Sequence, residues 1–380
     1  MSHNEPIPYG RQSISSSDVE AVAKQLVSDW LTTGPTVKGF EERLSAVTGG
    51  HEVIAVSSGT AALHCAFAAL QLKPGDEVIT SPITFVSTAA TAIKEGAKVI
   101  FVDVDPSTAN IDPEQVIRVI NHKTRAIVAV DYAGNPADYM RLSAIAREHD
   151  IVLIADASHS LGASLNRRPV GDLADMTTLS FFPTKNIATG EGGAIVCKKS
   201  EFAPKVRQFR SHGLIREPEL QKYPNEGPWH QEVHDFGLNY RLTDFQSALG
   251  ISQLSRLSEF LERRAEIVKT YNRHLSGIPN VRTPGVTDGA SPAWHLYPLR
   301  VPKTKRRQVF DGLRSQGIIA QVNYIPVYWH PVFEQLGYQR GVCPVAEDFY
   351  AGEISLPLYF DLQHEDVVRI SQTINNFLSA

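Results

Sequence analysis

The stretch "RAIVAVDYAGNPADYMRLSAIAREHDIVLIADASHS", Arg125 to Ser160, decides the fold class. Two almost unbroken apolar runs, "AIVAV" and "IVLIA", flank "ADYMRLSAIAREHD", which reads as a helix. A strand, a crossover helix and a second strand place the two strands parallel in one sheet. Strands apolar along their whole length are buried on both faces, which is the signature of an α/β sheet covered by helices.

The same alternation runs outward from that stretch. "EVIAVSS" is a strand and "TAALHCAFAALQL" a helix; "PGDEV" then turns into the strand "VITS", and "AKVIFVDV" forms another. In "DPEQVIRVI", Asp112 is placed to cap a helix that has Pro113 at its first position. The second half changes character. "TDFQSALGISQLSRLSEFLERRAEIVKTYNRHL" reads as one long helical stretch, and the Gly- and Pro-rich "GIPNVRTPGVTDGASP" interrupts the pattern. After it, "HLYPLRV", "VFDGLRSQG" and "IIAQVNYIP" read as strand, helix and strand of a smaller α+β unit. The expected division is a large domain over residues 1–255, with an N-terminal arm, and a small C-terminal domain over residues 256–380.

Composition narrows the function classes. The chain has 380 residues, 42% hydrophobic and 21% charged, with a net charge of −4, so no basic surface suited to nucleic acid is expected. Its one basic run, "KTKRR" at Lys303 to Arg307, is short. The three cysteines, Cys65, Cys197 and Cys343, lack metal-site or disulfide-framework spacing. No apolar run reaches the roughly 18 residues of a membrane span, and the opening residues show no export signal. The expectation is a cytoplasmic protein with no metal, membrane or nucleic-acid partner.

Parallel sheets bind ligands beyond the carboxyl ends of their strands, and the conspicuous polar residues fall at such ends. "SSGTAAL" puts Gly59 and Thr60 between a strand and a helix, either as an ordinary cap or as a phosphate site. Asp156 ends a buried strand, where it either caps the turn or pairs with a cationic ring nitrogen. His159 follows in the same loop, and Phe85 in "SPITFVSTAA" is either a core aromatic or a ring-stacking one. "SFFPTKNIATGEGGAIV" sets Lys185 between an apolar run and a glycine-rich loop. Together, a phosphate cradle, a strand-end carboxylate and an isolated amine match the needs of pyridoxal 5′-phosphate. That cofactor requires a phosphate site, an anion to keep its pyridine nitrogen protonated, and an amine to bond its aldehyde.

Several of these segments, with "LTTGPTVKGFEERLSAVTG", "DASHSLGA", "RSHG" and "GLNYRLTDFQSALGISQL", resemble the DegT/DnrJ/EryC1/StrS sugar aminotransferases over nearly the full length. The resemblance implies the type I PLP-dependent aminotransferase fold. It implies that Lys185 anchors the cofactor and is the catalytic base, that Asp156 meets the pyridine nitrogen with His159 beside it, and that Phe85 stacks on the ring. Gly59, Thr60 and Ser180 would bind the phosphate, and Asn239 would reach the phosphate of the other subunit of a homodimer. "VDYAG", "AQVNYIPVY" and "AEDFYAGEISLPL" resemble the branch of the family that serves pseudaminic acid synthesis. That branch implies a UDP-linked 4-keto-6-deoxy-N-acetylhexosamine as acceptor and glutamate as donor. Its substrate contacts would fall at Tyr9, Asp29, Trp30, Leu31 and Thr32, and at Gln321, Val322, Asn323 and Tyr324. Two positions depart from the branch: Asn323 stands where a histidine is expected, and Thr184 precedes the lysine where a histidine is frequent.

Overall fold

In the computed structural model, which describes residues 5–379, seven strands build the central sheet. They are β1 (Glu52–Val56), β2 (Glu77–Thr80), β3 (Lys98–Phe101), β4 (Thr124–Val130), β5 (Val152–Asp156), β6 (Met176–Ser180) and β7 (Gly193–Cys197). Their spatial order is β1-β7-β6-β5-β4-β2-β3, and only β7 runs antiparallel to its neighbours. The strand–helix–strand reading of residues 125–160 is realised as β4, the helix Tyr139–Glu148 and β5, paired parallel.

Alternation of side chains across each strand feeds two cores, one on either face of the sheet. Val128 and Ile154 point into one apolar cluster, and Ile127, Leu153 and Ala155 into the other. Each is fully or almost fully buried. Burying an aliphatic side chain of this size contributes about 1.5–3 kcal/mol relative to leaving it in water, so a strand with both faces covered is strongly held. Register then sets the rim: Val130 pairs with Asp156 and Asp156 with Thr178, so the carboxyl ends of β4, β5 and β6 finish side by side.

Beyond the sheet, the strands β8 (Tyr297–Arg300) and β9 (Glu353–Leu356) pair antiparallel, with helices Arg306–Ser315, Pro344–Gly352 and His364–Ser379 around them. The N-terminal arm crosses to this region: Ile7 exchanges hydrogen bonds with Gly317 and Ile319, and Leu358 donates to Tyr9. The first four residues and the last one of the expected domains lie outside the described residues.

Two sequence expectations are corrected. The long helix expected over 243–275 is two helices, Asp244–Ser255 and Leu257–Leu275, separated at Arg256. Arg256 leaves helical geometry with its guanidinium 2.7 Å from buried Asp18 and its cation over the Phe260 ring. The strand expected at "IIAQVNYIP" reduces to isolated bridges at Ile318 and Gln321. At Asn323 the backbone is bound by side chains instead of a neighbouring strand: its N–H donates to Glu353 and its carbonyl accepts from Tyr132.

Candidate active site

A cavity of about 520 Å³ opens at the carboxyl ends of β4, β5 and β6, within the size range of small-ligand sites. Eleven residues singled out in the sequence line it: Tyr9, Gly59, Thr60, Phe85, Asp156, His159, Ser180, Lys185, Gln321, Asn323 and Tyr324. Six others do not. Asn239 and Asp29 to Thr32 are exposed away from this cavity, and Val322 is half-buried beside it without lining it.

One end of the cavity is built by a helix start. Ser58 caps the helix Gly59–Ala69 by accepting from the Ala61 amide, leaving the amides of the preceding two residues for a ligand. Gly59 is required by close approach: a Cβ there would lie 2.8 Å from the Cβ of Ser180. The helix start and the end of β6 therefore converge only because residue 59 has no side chain.

Asp156 caps the turn after its strand, as one of its two sequence readings has it, and its carboxylate also borders the cavity. Ser158 donates to Oδ1 from its hydroxyl at 2.6 Å and from its amide at 3.3 Å, which caps the turn after β5. Thr88 donates to Oδ2 at 2.7 Å and is itself braced by Thr84 at 2.8 Å. The carboxylate is buried, held in one orientation, and still borders the cavity. Phe85 is 57% exposed in the cavity wall and belongs to neither apolar cluster among the described residues, so its core reading is overturned.

Lys185 Nζ lies 3.3 Å from His295 Nε2. Burial pushes its amine down to about 8, buried Arg264 adds to that, and Asp156 opposes it. Arg264 donates to the carbonyls of Leu358 and Thr184 and so fixes the loop that carries the lysine. His159 and His295 pack with ring centroids 4.4 Å apart, and burial followed by the Lys185 charge drives both well below the ordinary histidine range. Both imidazoles are therefore neutral, and the Nδ1 atom of each is buried without a hydrogen-bond partner among the described residues. Tyr324 hydroxyl meets His159 Nε2 at 3.2 Å.

His295 escaped the sequence reading because it sits in an apolar run, "AWHLYPLR", that reads as core. A second glycine puts it in place. Gly134, at φ +90°, lets residues 293–295 dock on the β4 loop through Ala293 N–H to the Gly134 carbonyl and His295 N–H to the Ala133 carbonyl. Among the described residues, no group of three metal-ligating side chains occurs, and no helix is long and apolar enough to cross a membrane.

The residues fit pyridoxal 5′-phosphate: a glycine-dependent anion cradle, a braced carboxylate, an open aromatic face and an amine of lowered basicity share one cavity. Fold and site together define a PLP-dependent aminotransferase. The chain belongs to the DegT/DnrJ/EryC1/StrS aminotransferase family, whose model matches residues 12–375. It is 37% identical over 381 residues to the spore coat polysaccharide biosynthesis protein SpsC of Bacillus subtilis, covering 99% of this chain and 98% of that one. It is 35% identical over 379 residues to the UDP-4-amino-4,6-dideoxy-N-acetyl-β-L-altrosamine transaminase of Campylobacter jejuni, covering 98% and 97%. Its structure matches that of Helicobacter pylori PseC, an aminotransferase of pseudaminic acid biosynthesis, with TM-score 0.91, 32% identity and coverage of 99% and 100%.

Proposed function

We propose that the protein moves an amino group from glutamate to the C4 ketone of a UDP-linked 4-keto-6-deoxy-N-acetylhexosamine. The products are 2-oxoglutarate and UDP-4-amino-4,6-dideoxy-N-acetyl-β-L-altrosamine. The observation that carries the chemistry is Lys185, an amine of lowered basicity in the wall of a cavity that also holds a braced carboxylate. The substrate assignment is supported by the names of the Campylobacter and Helicobacter relatives.

When bound, the cofactor supplies an electron sink that acidifies the Cα–H of the amino donor. Gly59, Thr60 and Ser180 hold its phosphate, and Asp156 keeps the proton on its ring nitrogen. Lys185 Nζ takes the donor Cα proton in the first half-reaction. It works in the opposite direction on the sugar, delivering a proton to C4 as the amine is transferred. A base active near pH 8 suits both directions. Neutral His159 and His295 line Lys185 without adding a competing cation.

The sites are shared in a homodimer in the cytoplasm, with exposed Asn239 reaching the cofactor phosphate of the other subunit. The exposed stretch Asp29–Thr32 is tied to the start of the helix Asp244–Ser255: Asp244 N–H donates to the Leu31 carbonyl, and Thr32 bridges to Thr243. The chain divides near residue 255, where the helix breaks, into a cofactor-binding domain and a small C-terminal domain. A second reading is amination of another nucleotide 4-ketosugar, of the perosamine, 4-amino-4,6-dideoxy-UDP-GlcNAc or aminoarabinose type; the similar identity to SpsC, named for spore coat polysaccharide biosynthesis, keeps it in view.

The test supplies glutamate and candidate nucleotide 4-ketosugars one at a time and assigns the product stereochemistry by NMR. The β-L-altro product is expected, with no turnover in Lys185→Ala and a pyridoxyl adduct on Lys185 after borohydride reduction. Preferential turnover of another ketosugar selects the second reading. An unmodified Lys185 in cofactor-saturated protein overturns both.

A further inference from the structure

A chain of hydrogen bonds leads from a buried carboxylate to the cavity wall, and none of its inner members contacts the cofactor end of the site. Glu353, fully buried at the start of β9, accepts from Ser355 hydroxyl through Oε1 and from the Asn323 backbone N–H through Oε2 at 2.9 Å. The Asn323 side-chain nitrogen donates to Ser355 Oγ at 3.1 Å and to Tyr9 hydroxyl oxygen at 2.6 Å. Tyr9 lines the cavity.

The order of donors is forced from the buried end. A carboxylate only accepts, so Ser355 must donate to it and offer its lone pair to Asn323. That turns the Asn323 amide nitrogen, with both its protons, toward Ser355 and Tyr9. The Tyr9 oxygen is then occupied as an acceptor, and its own proton is free to be donated to a ligand in the cavity that Tyr9 lines. We propose that Glu353, Ser355 and Asn323 are positioning residues that fix Tyr9 as a hydrogen-bond donor to an acceptor oxygen of the nucleotide sugar. This rests on the nucleotide-sugar reading above.

Removing the charge reverses the chain. In Glu353→Gln, the Asn323 N–H still claims the side-chain oxygen, so the new amide nitrogen must face Ser355. Ser355 then accepts, donates to Asn323, and turns the Asn323 oxygen toward Tyr9, whose proton follows it inward. Protonation of Glu353 permits the same reversal. Burial pushes that carboxyl up to about 8, against the hydrogen bonds from Ser355 and Asn323 and the Arg306 cation. The other titratable groups that feel it, Tyr9, Tyr132 and Tyr324, are all held above the ordinary phenol range by burial and stay neutral. The outward setting is thus about half populated near pH 8, grows above it and relaxes below it.

The test is calorimetric titration of the PLP-loaded protein with UDP-N-acetylglucosamine, a non-reacting probe, at pH 9. Tyr9→Phe, Glu353→Gln and Ser355→Ala are each expected to weaken binding about tenfold, the worth of one hydrogen bond. Tyr9→Phe combined with either of the others is expected to lose no more than Tyr9→Phe alone, because the proton being aimed is already gone. A merely structural role for Glu353 predicts additive losses instead, and additivity overturns the proposal. So does unchanged affinity in Ser355→Ala and Glu353→Gln while Tyr9→Phe binds weakly. Failure of the wild-type protein to bind the probe overturns the UDP-N-acetylhexosamine reading itself, and the relay with it.

Discussion

Replacing Lys185 by methionine in the cofactor-free protein reports directly on how the cavity treats this amine. An unfolded lysine titrates near 10.5, whereas in the fold the amine is pushed down to about 8. Below pH 8 the unfolded chain carries a proton that the fold disfavours, and stability is reduced by the full difference. Between about 8 and 10.5 the unfolded state still binds more protons than the folded one, so stability rises with pH until the penalty vanishes. At 1.36 kcal/mol per pH unit, the gap from 10.5 to about 8 amounts to about 3 kcal/mol, an upper bound because the amine opens onto a cavity that admits water. Urea unfolding of both proteins from pH 7 to 10.5 isolates the effect, since the two histidines that feel the Lys185 charge are already neutral over that range. Lys185→Met should be the more stable at pH 7 by up to this amount, with the advantage shrinking steadily above pH 8. Any change in packing displaces the whole difference curve without tilting it. A difference that stays constant across the range would refute the lowered basicity of Lys185 and, with it, its fitness as a base near pH 8.

Two further perturbations bear on the groups that hold the site in shape. Thr88→Val removes the donor to Asp156 Oδ2 and leaves a buried carboxylate oxygen unpaired, which should cost about 1–3 kcal/mol in chemical denaturation and weaken PLP retention; equal stability would show that water replaces the hydroxyl. Gly134→Ala forces a Cβ to 2.1 Å from the Ala293 carbonyl oxygen at a positive φ, which should destabilise by at least about 2 kcal/mol and shift the absorbance of bound PLP as His295 moves. An unperturbed melting temperature with an unshifted spectrum would remove Gly134 from the account of how His295 is placed.

The parts of the site that were legible in the sequence are those that a single local segment explains. Asp156 and Ser180 end strands whose apolar runs are unmistakable, and Gly59 and Thr60 open a helix directly after one, so topology alone brings them to the same rim. Lys185 follows β6 by five residues and reaches the cavity for the same reason. What escaped was set by contacts distant in the chain. His295 meets Lys185 across 110 positions, and Arg264 reaches the Thr184 carbonyl across 80. Each is a polar residue inside an apolar or amphipathic pattern, where periodicity assigns it to core or solvent and gives no hint of a partner. The segment 318–326 was misread for a related reason. Its β-branched residues suit a strand, yet pairing stops at Gln321 and the Asn323 backbone is bound by Glu353 and Tyr132 side chains, which no local pattern encodes.

The departure at Asn323 gains a physical meaning from that geometry. A primary amide presents two protons on one nitrogen, so a single atom donates to Ser355 and to Tyr9 together. An imidazole at the same position has one proton per nitrogen and cannot serve both partners from one atom. With histidine, either Tyr9 or Ser355 loses the donor that Asn323 supplies, and the buried charge no longer dictates where the phenol proton points. Asparagine at 323 is thus the residue type that lets Glu353 act at the cavity without touching it. The carboxylate and amine of the site, Asp156 braced by Thr88 and Lys185, share no hydrogen bond with this network among the described residues, so a change at residue 323 is expected to alter binding at Tyr9 and to leave the Lys185 chemistry alone.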